Sequence, residues 1–331
     1  EIVIVIYLAK HHFCKKHFQT IKVPVNWILL LEQTLNGLQL GILLFLLAAG
    51  LTLIFGIMDL INLAHGSLYM MGAYFAATFT NWTESFFLGV LLTLPACMLF
   101  GILLEIIALR TLYTRSHLDQ VLATFGLILF FNEFVRLLWG PIGLDIPLPD
   151  VLNGSVELIF GIRYPAFRIL IIVVGIIVAL LLYLLVSRTK LGMLIRAGAS
   201  NRQMVSALGV NINLLYTIVF GLGAALAGLA GLMAAPIMTV EIGMGEGILI
   251  LTFVVIVIGG VGSIRGAFVA ALLVGFIDTV GRSFLPDILG LFVSNDVADT
   301  AAPAISSMLT YVLMALILAI RPQGLFPPKG V

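Results

Sequence analysis

The chain has 331 residues, of which 61% are hydrophobic and 10% charged, with a formal net charge of +1. A soluble domain carries about 25% charged residues and about 45–50% apolar ones, and needs that charge to stay dispersed in water. These proportions exclude a soluble enzyme, and the balanced charge removes the basic excess that would point to nucleic acid.

What remains is an all-α, polytopic bundle of membrane helices. Crossing the hydrocarbon layer takes about 20 mainly apolar residues. Candidate runs lie at 28–56, 67–80, 86–109, 118–138, 166–187, 213–235, 247–260, 266–284 and 303–320. The first is long for one crossing, and 67–80 and 247–260 are short, so the reading is about eight spans with broken or short helices near 57–66 and 259–266. The runs are solidly apolar, unlike the alternating strands of a membrane barrel.

Residues 1–25 stand apart. Their basic stretch (Lys10, Lys15, Lys16) follows an apolar one, the reverse of a cleavable signal peptide. Their lysines favour the cytoplasmic side, whereas a single crossing at 28–56 places them outside. Either one early segment is irregular or 1–25 lies outside the bundle. His11, His12, Cys14 and His17 resemble a metal-ligand cluster, but they fall in this terminal stretch of uncertain status, and no metal site is expected.

Charge sorts the later loops. Arg110 and Arg115, then Arg188, Lys190, Arg196 and Arg202, then Arg265, Arg321 and Lys329 occupy one set. Glu84, then Asp145, Asp150 and Glu157, then Glu241 and Glu246, then Asp287, Asp296 and Asp299 occupy the other. Positive loops stay cytoplasmic. The expectation is 110–117, 188–212 and the C-terminus inside, with 81–85, 139–165, 236–246 and 285–302 outside. Arg163, Arg168 and Arg282 break the pattern from positions at or near helix ends, where long side chains can snorkel.

Polar residues at lipid depth each need a reason, since a central charge costs roughly 2.5–3.5 kcal/mol on the insertion scale. The densest group is Asp59, Asn62, His65 and Ser67, flanked by Gly56 and Gly66. One reading is a broken helix at depth lining a solute path, with Asn62, His65 and Gly66 on it. The other is a short cytoplasmic turn whose Asn and His cap helix ends. A second irregular stretch, Gly259-Gly260-Val261-Gly262-Ser263-Ile264-Arg265-Gly266, holds four glycines, each costing about 1 kcal/mol in a helix. Gly259 and Gly260 are candidate path residues. Both stretches place Gly-Ser shortly before Gly-Ala, a faint sign of an internal repeat.

The run at 213–235 carries Gly223, Ala227, Gly231 and Ala235 at every fourth position, one small-residue face for close helix packing. The stretch 189–209 is the longest inside loop. Asn201 or Ser200 can cap a short helix to Leu208, with Gly209 as its stop. It reads either as a basic loop near anionic lipid or as a docking element. Glu133 and Arg136 are spaced to pair at i,i+3, and Asp119 lies at the opposite end of their span. No Gly-x-x-x-x-Gly-Lys-[Ser/Thr] occurs, so the chain holds no P-loop.

Three segments together resemble branched-chain amino acid ABC importer permeases: Ile61-Asn62-Leu63-Ala64-His65-Gly66-Ser67-Leu68-Tyr69-Met70-Met71-Gly72-Ala73-Tyr74, then Arg196-Ala197 with Asn201 and Ala207-Leu208-Gly209-Val210-Asn211, then Val257 to Ala267. The resemblance spans about 30–328, and Ser67 stands where the family usually has an acidic residue. It implies a permease domain over 26–330 of a bacterial inner-membrane importer, with ATP and Mg on partner ATPases and no cofactor in this chain. The implied partners are a homologous second permease, two cytoplasmic ATPase subunits, a periplasmic solute-binding protein and the lipid bilayer, with no nucleic acid. Segment 189–209 becomes the ATPase coupling segment, carried by Arg196, Ala197, Asn201, Arg202, Ala207 and Gly209. The Pro-containing loop from Trp139 to Pro165 becomes a contact for the binding protein. The expected solutes are branched-chain or other small amino acids. Alternatives are urea or short amides within the family, or an ion-coupled carrier, for which only Asp59 and Asp278 approach mid-depth.

Overall fold

A computed structural model describes residues 27–158 and 161–326. Segment 1–25 and its His/Cys cluster lie outside the described residues. Eleven α-helices are present among the described residues: α1 (Trp27–Met58), α2 (His65–Thr83), α3 (Phe86–Leu104), α4 (His117–Trp139), α5 (Ala166–Arg188), α6 (Lys190–Ser200), α7 (Arg202–Ala207), α8 (Ile212–Ala234), α9 (Met244–Gly259), α10 (Ile264–Leu289) and α11 (Asn295–Ile320). Among the described residues seven helices are long and apolar enough to cross a membrane: α1, α3 with its extension to Leu112, α4, α5, α8, α10 and α11. The all-α membrane bundle read from composition is the observed class.

The charged loops gather at two ends. Arg110, Arg115, the α6–α7 segment and the α9–α10 turn share a basic end, where Gly198 meets Ile57 and Leu215, and the Tyr216 hydroxyl donates to the Ile57 carbonyl. At the acidic end a hairpin of β1 (Ser155–Glu157) and β2 (Arg163–Pro165) pairs Val156 with Tyr164. The Tyr164 hydroxyl donates to Asn36 at 3.1 Å, which also accepts from Arg168, so the hairpin is pinned to α1. Leu144 and Val240 exchange backbone hydrogen bonds across two loops at this end.

α1 runs through the centre as one unbroken helix of 32 residues, about 48 Å long at 1.5 Å per residue. It is buried almost continuously from Gly41 to Ile54. Small residues allow its neighbours in: a side chain on Gly37 or Gly41 would strike the α10 backbone at Gly275 or Ala271. Such contacts are how helices associate in lipid, where burial of apolar surface offers no driving force. α3, α4, α5 and α11 lie outside this core, and Leu91, Leu122, Leu137, Ile176 and Leu316 point outward from them as lipid-type faces.

Two boundaries differ from the sequence reading. Loop 285–302 shrinks to 290–294, because α10 runs past Pro286 and α11 begins at Asn295, with Pro303 inside it. Glu246 is not in an acidic-end loop: it occupies the first turn of α9, whose neighbour Gly245 packs against Gly66. α9 descends from there to Gly259, about 21 Å along its axis. α2 climbs from Gly66 to Thr83, about 25 Å the other way.

The small-residue face of α8 lies within this chain. Gly223 approaches the Gly50 carbonyl of α1, and Gly231 fits against the Tyr69 carbonyl of α2. Ala227 is fully buried, and Ala235 nearly so. Gly231→Val should destabilise the detergent-purified protein by about 1–3 kcal/mol or more through overpacking. Gly126→Ala, at a site with nothing within 4 Å, should not lower it. Thermal unfolding of the two variants checks the contrast.

Candidate functional site

The α1 helix ends at Asp59, whose left-handed φ of 53° turns the chain. Asp tolerates this conformation better than most residues because its side chain can bond locally. The chain then climbs back along α1 as an irregular stretch to Ala64, and α2 begins at His65. The depth follows from one hydrogen bond: the His65 Nε2 lies 3.2 Å from the Leu47 carbonyl oxygen, about three turns or 16 Å from the end of α1. The start of α2 is therefore at depth, reached by an irregular stretch that climbs from a turn at the basic end.

Irregular backbone in a membrane survives only where protein satisfies its polar groups. α4 supplies them. Gln120 Oε1 accepts from the Ile61 N–H at 3.2 Å, and Thr124 Oγ1 accepts from the Leu63 N–H at 3.2 Å. Gln120 and Thr124 are one turn apart, with Ile128 and Asn132 continuing the stripe. Sequence reasoning did not single out these residues. The signal was present as polar groups at every fourth position, interrupted by Ile128, on an otherwise apolar helix.

Not every polar group at the break is satisfied. Both side-chain polar atoms of Asn62 and the Nδ1 of His65 are buried without a hydrogen-bond partner. Each such group costs about 1–3 kcal/mol. α2 and α9 begin without a side-chain cap, at Ala64 and Gly243, as do α5 and α11 at Pro165 and Ser294, whereas α3, α4, α6, α7, α8 and α10 are capped by Ser85, Ser116, Thr189, Asn201, Asn211 and Ser263. Two uncapped N-termini thus meet inside the bundle, and such ends carry partial positive charge. A narrow cleft between them is lined by Gly66, Ser67, Asn132, Gly245 and Glu246.

The other candidate path residues are placed differently. Gly259 packs against the backbone of Gly266, and Gly260, at φ 102°, against the C-terminal stretch near Gln323 and Phe326. Neither lines a described cavity. Their neighbours Val261–Arg265 do border one of about 1350 Å³ at the basic end, along with Asp59, Tyr183, Arg196 and Arg202. Ser263 caps α10 and Ser67 lies in the first turn of α2, so both Gly-Ser pairs open helices, but at different depths.

Segment 189–209 forms two short helices in place of one. Asn201 ends α6 and caps α7 through the Met204 N–H at 2.9 Å, and Gly209 terminates the segment at φ 86°. Thr189 caps α6 directly after α5, Gly192 packs on the Leu185 and Val186 carbonyls, and the Arg196 guanidinium donates to the Val186 carbonyl. The segment is thereby fixed to α5. Arg196, Asn201 and Arg202 border the basic-end cavity, Ala207 is exposed, and Ala197 is half-buried.

A second cluster ties α3 to α8 beside this segment. A π-helical turn (Glu105–Leu109) extends α3 and leaves the Glu105 side chain fully buried. Glu105 accepts from Arg110 (3.1 and 3.0 Å), the Tyr113 hydroxyl (2.8 Å) and the Thr217 hydroxyl of α8 (2.8 Å). Burial, then the bond to Glu105, pushes the Tyr113 phenol up, so it stays a proton donor. Glu133 and Arg136 form the expected i,i+3 pair at 2.9 Å, and Asp278 pairs with Arg282 at 2.9 Å.

The family model described as branched-chain amino acid transport system / permease component matches residues 33–318. The chain belongs to that family. It is 31% identical to the high-affinity branched-chain amino acid transport system permease protein BraD of Pseudomonas aeruginosa, over 89% of this chain and 95% of that one. Permease protein LivH of the same description from Escherichia coli K12 is 26% identical, over 91% and 96%. Permease protein LivM of Escherichia coli K12 is also 26% identical, over 92% and 73%. No solved structure matches. The chain is a multi-pass membrane protein of a family of transport components.

Thr124→Val should leave the Leu63 N–H unpaired at depth and cost about 1–3 kcal/mol, read as a lower unfolding temperature in detergent. Glu105→Ala should lower the unfolding temperature further, because Arg110, Tyr113 and Thr217 then lose their shared acceptor.

Proposed function

We propose that the chain is the permease subunit of an ATP-driven importer for branched-chain or other small amino acids, in a bacterial inner membrane with its basic end cytoplasmic. The observation that carries this reading is the α6–α7 segment. It is a basic, capped pair of helices, fixed to α5 by Arg196 and Gly192 and joined to α8 at Asn211, with Met193, Met204 and Leu208 exposed. A transport component without a P-loop needs its energy from outside, and this segment suits a groove on a partner ATPase. Two ATPase subunits carrying ATP and Mg would act there. A periplasmic binding protein would dock at the acidic end, on the Trp139–Pro165 loop and its hairpin.

The partner beside it would be a second, homologous permease. That one organism carries both LivH and LivM, each similar to this chain, supports a pair of unlike subunits. ATP-driven movement of α6–α7 would tilt α5 and α8. The Glu105 cluster would pass the motion of α8 to α3, and the small-residue face of α8 would let it slide on α1 and α2. The path is assigned to the break, where Asn62, His65 and Gly66 meet the start of α9. Its unpaired polar atoms and uncapped helix ends offer transient contacts to a zwitterion, while tight selection would belong to the binding protein.

An ion-coupled carrier would need free carboxylates at depth. Of the two carboxylates the sequence offers for that role, Asp278 is committed to Arg282 and Asp59 borders the basic-end cavity, so neither supplies one; Glu246 is left, and the ATP and uncoupler dependence of uptake decides between the two readings.

Arg196→Glu, or Gly209→Pro, should cut ATP-driven leucine uptake by about tenfold or more in vesicles carrying all partners, through lost charge complementarity at the contact or a distorted turn. Insertion should be unchanged. Normal uptake with co-purifying ATPases would refute the docking assignment. Uptake that persists without ATP and collapses with an uncoupler would refute the importer reading as a whole.

A further inference from the structure

The carboxylates inside the bundle divide into two kinds. Glu105, Glu133 and Asp278 each lie within 3.0 Å of an arginine nitrogen: Arg110, Arg136 and Arg282. Glu246 has no cationic partner among the described residues. Its Oε1 instead accepts from the Asn132 amide of α4 at 2.7 Å.

Its position makes this unusual. Glu246 follows Gly245, which packs on Gly66 at the start of α2, so it lies far from both ends of the bundle. Yet Glu246 is exposed on the surface of the chain, as is Gly247 beside it. A carboxylate facing hydrocarbon at that depth would be expelled or neutralised, so residues of this kind face water or another polar surface. It accepts from the Asn132 amide and lies in the first turn of α9, whose uncapped N-terminus carries partial positive charge. The Glu133–Arg136 pair of α4 is exposed and self-neutralised, and therefore no counter-ion for Glu246. The result is one uncompensated negative charge, held in place and open to the side on which α4, α2 and α9 meet.

We propose that Glu246, positioned by Asn132, is the contact for the ammonium group of the solute midway across the membrane, on a water-accessible face of the chain. This rests on the importer reading for the identity of the solute. The local claim, a bare negative charge facing water at depth, does not. A single carboxylate with one amide neighbour binds an ammonium weakly, as a passage point requires. An uncharged amide solute would gain less from it, so the site favours zwitterions over urea or short amides.

The test uses the full chain assembled with its partners, in a background with Cys14→Ser and Cys97→Ala. Gly247→Cys places a thiol next to Glu246 where an added Cβ meets nothing within 4 Å. Its rate of modification is measured with matched thiosulfonate reagents, one bearing a quaternary ammonium and one a sulfonate, with and without nucleotide. The cationic reagent should react about tenfold faster or more, and adding Glu246→Gln should bring the two rates close together. In the otherwise native chain, Glu246→Gln should lower leucine uptake by about fivefold or more while leaving ATP hydrolysis stimulated by the binding protein. A thiol unreactive in every nucleotide state, or one indifferent to reagent charge, overturns the proposal. So does full leucine uptake by Glu246→Gln. Absence of ATP-driven uptake by the wild-type assembly refutes the importer reading instead, and the reagent preference still decides the local claim.

Discussion

An unpaired peptide group in hydrocarbon costs several kcal/mol, and this protein carries irregular backbone from the end of its central helix back into the bundle in spite of that cost. The stretch from Asp59 to Ala64 is tolerable because α4 brings Gln120 and Thr124 to the Ile61 and Leu63 N–H groups. Much else follows from that accommodation. α2 can start beside Leu47 instead of at the membrane surface. α9 can enter to the same level, and the two helix starts can meet at Gly66 and Gly245.

The close contacts depend on residues with little or no side chain. Gly66 against Gly245, Gly72 against Gly228, Gly231 against Tyr69, and Gly259 against Gly266 each bring backbone onto backbone. In lipid this serves two ends. It supplies dispersion contacts where no hydrophobic drive exists, and it lets helices shift past one another without prying large side chains apart. The charged groups follow a complementary rule: buried or half-buried carboxylates in the bundle are matched to arginines on their own or the adjoining segment. Local pairing fixes charge without tying down distant helices. The Glu105 cluster is the exception that reaches across, through Thr217, and it does so beside the α6–α7 segment.

How legible was this in the sequence? The α6–α7 boundaries could be read well, because Thr189, Asn201 and Gly209 are strong local stop and start signals whose geometry involves only their own neighbours. The break near Asp59 was visible as a polar group between apolar runs, but its depth was left open between two readings. Depth is set by which turn of α1 the His65 ring meets, and that contact joins residues 18 apart in sequence. Gln120 and Thr124 passed unnoticed because a polar group on a membrane helix has no meaning until the backbone it serves is known. By charge Glu246 sorts with the acidic loops, just before the apolar run at 247–260, and only the packing of Gly245 on Gly66 shows that it starts a helix inside the bundle.

By itself the sequence determined the class of the molecule, its helical segments, the two charged ends and the small-residue face of α8. These are set by composition, by hydrophobic run length and by short-range capping, all of which act within a few residues. The tertiary structure decided the level at which the interrupted helices meet, which polar groups find partners and which are left over. Those outcomes depend on three-dimensional proximity between α1, α2, α4 and α9, and an unpaired group is defined only by what fails to reach it.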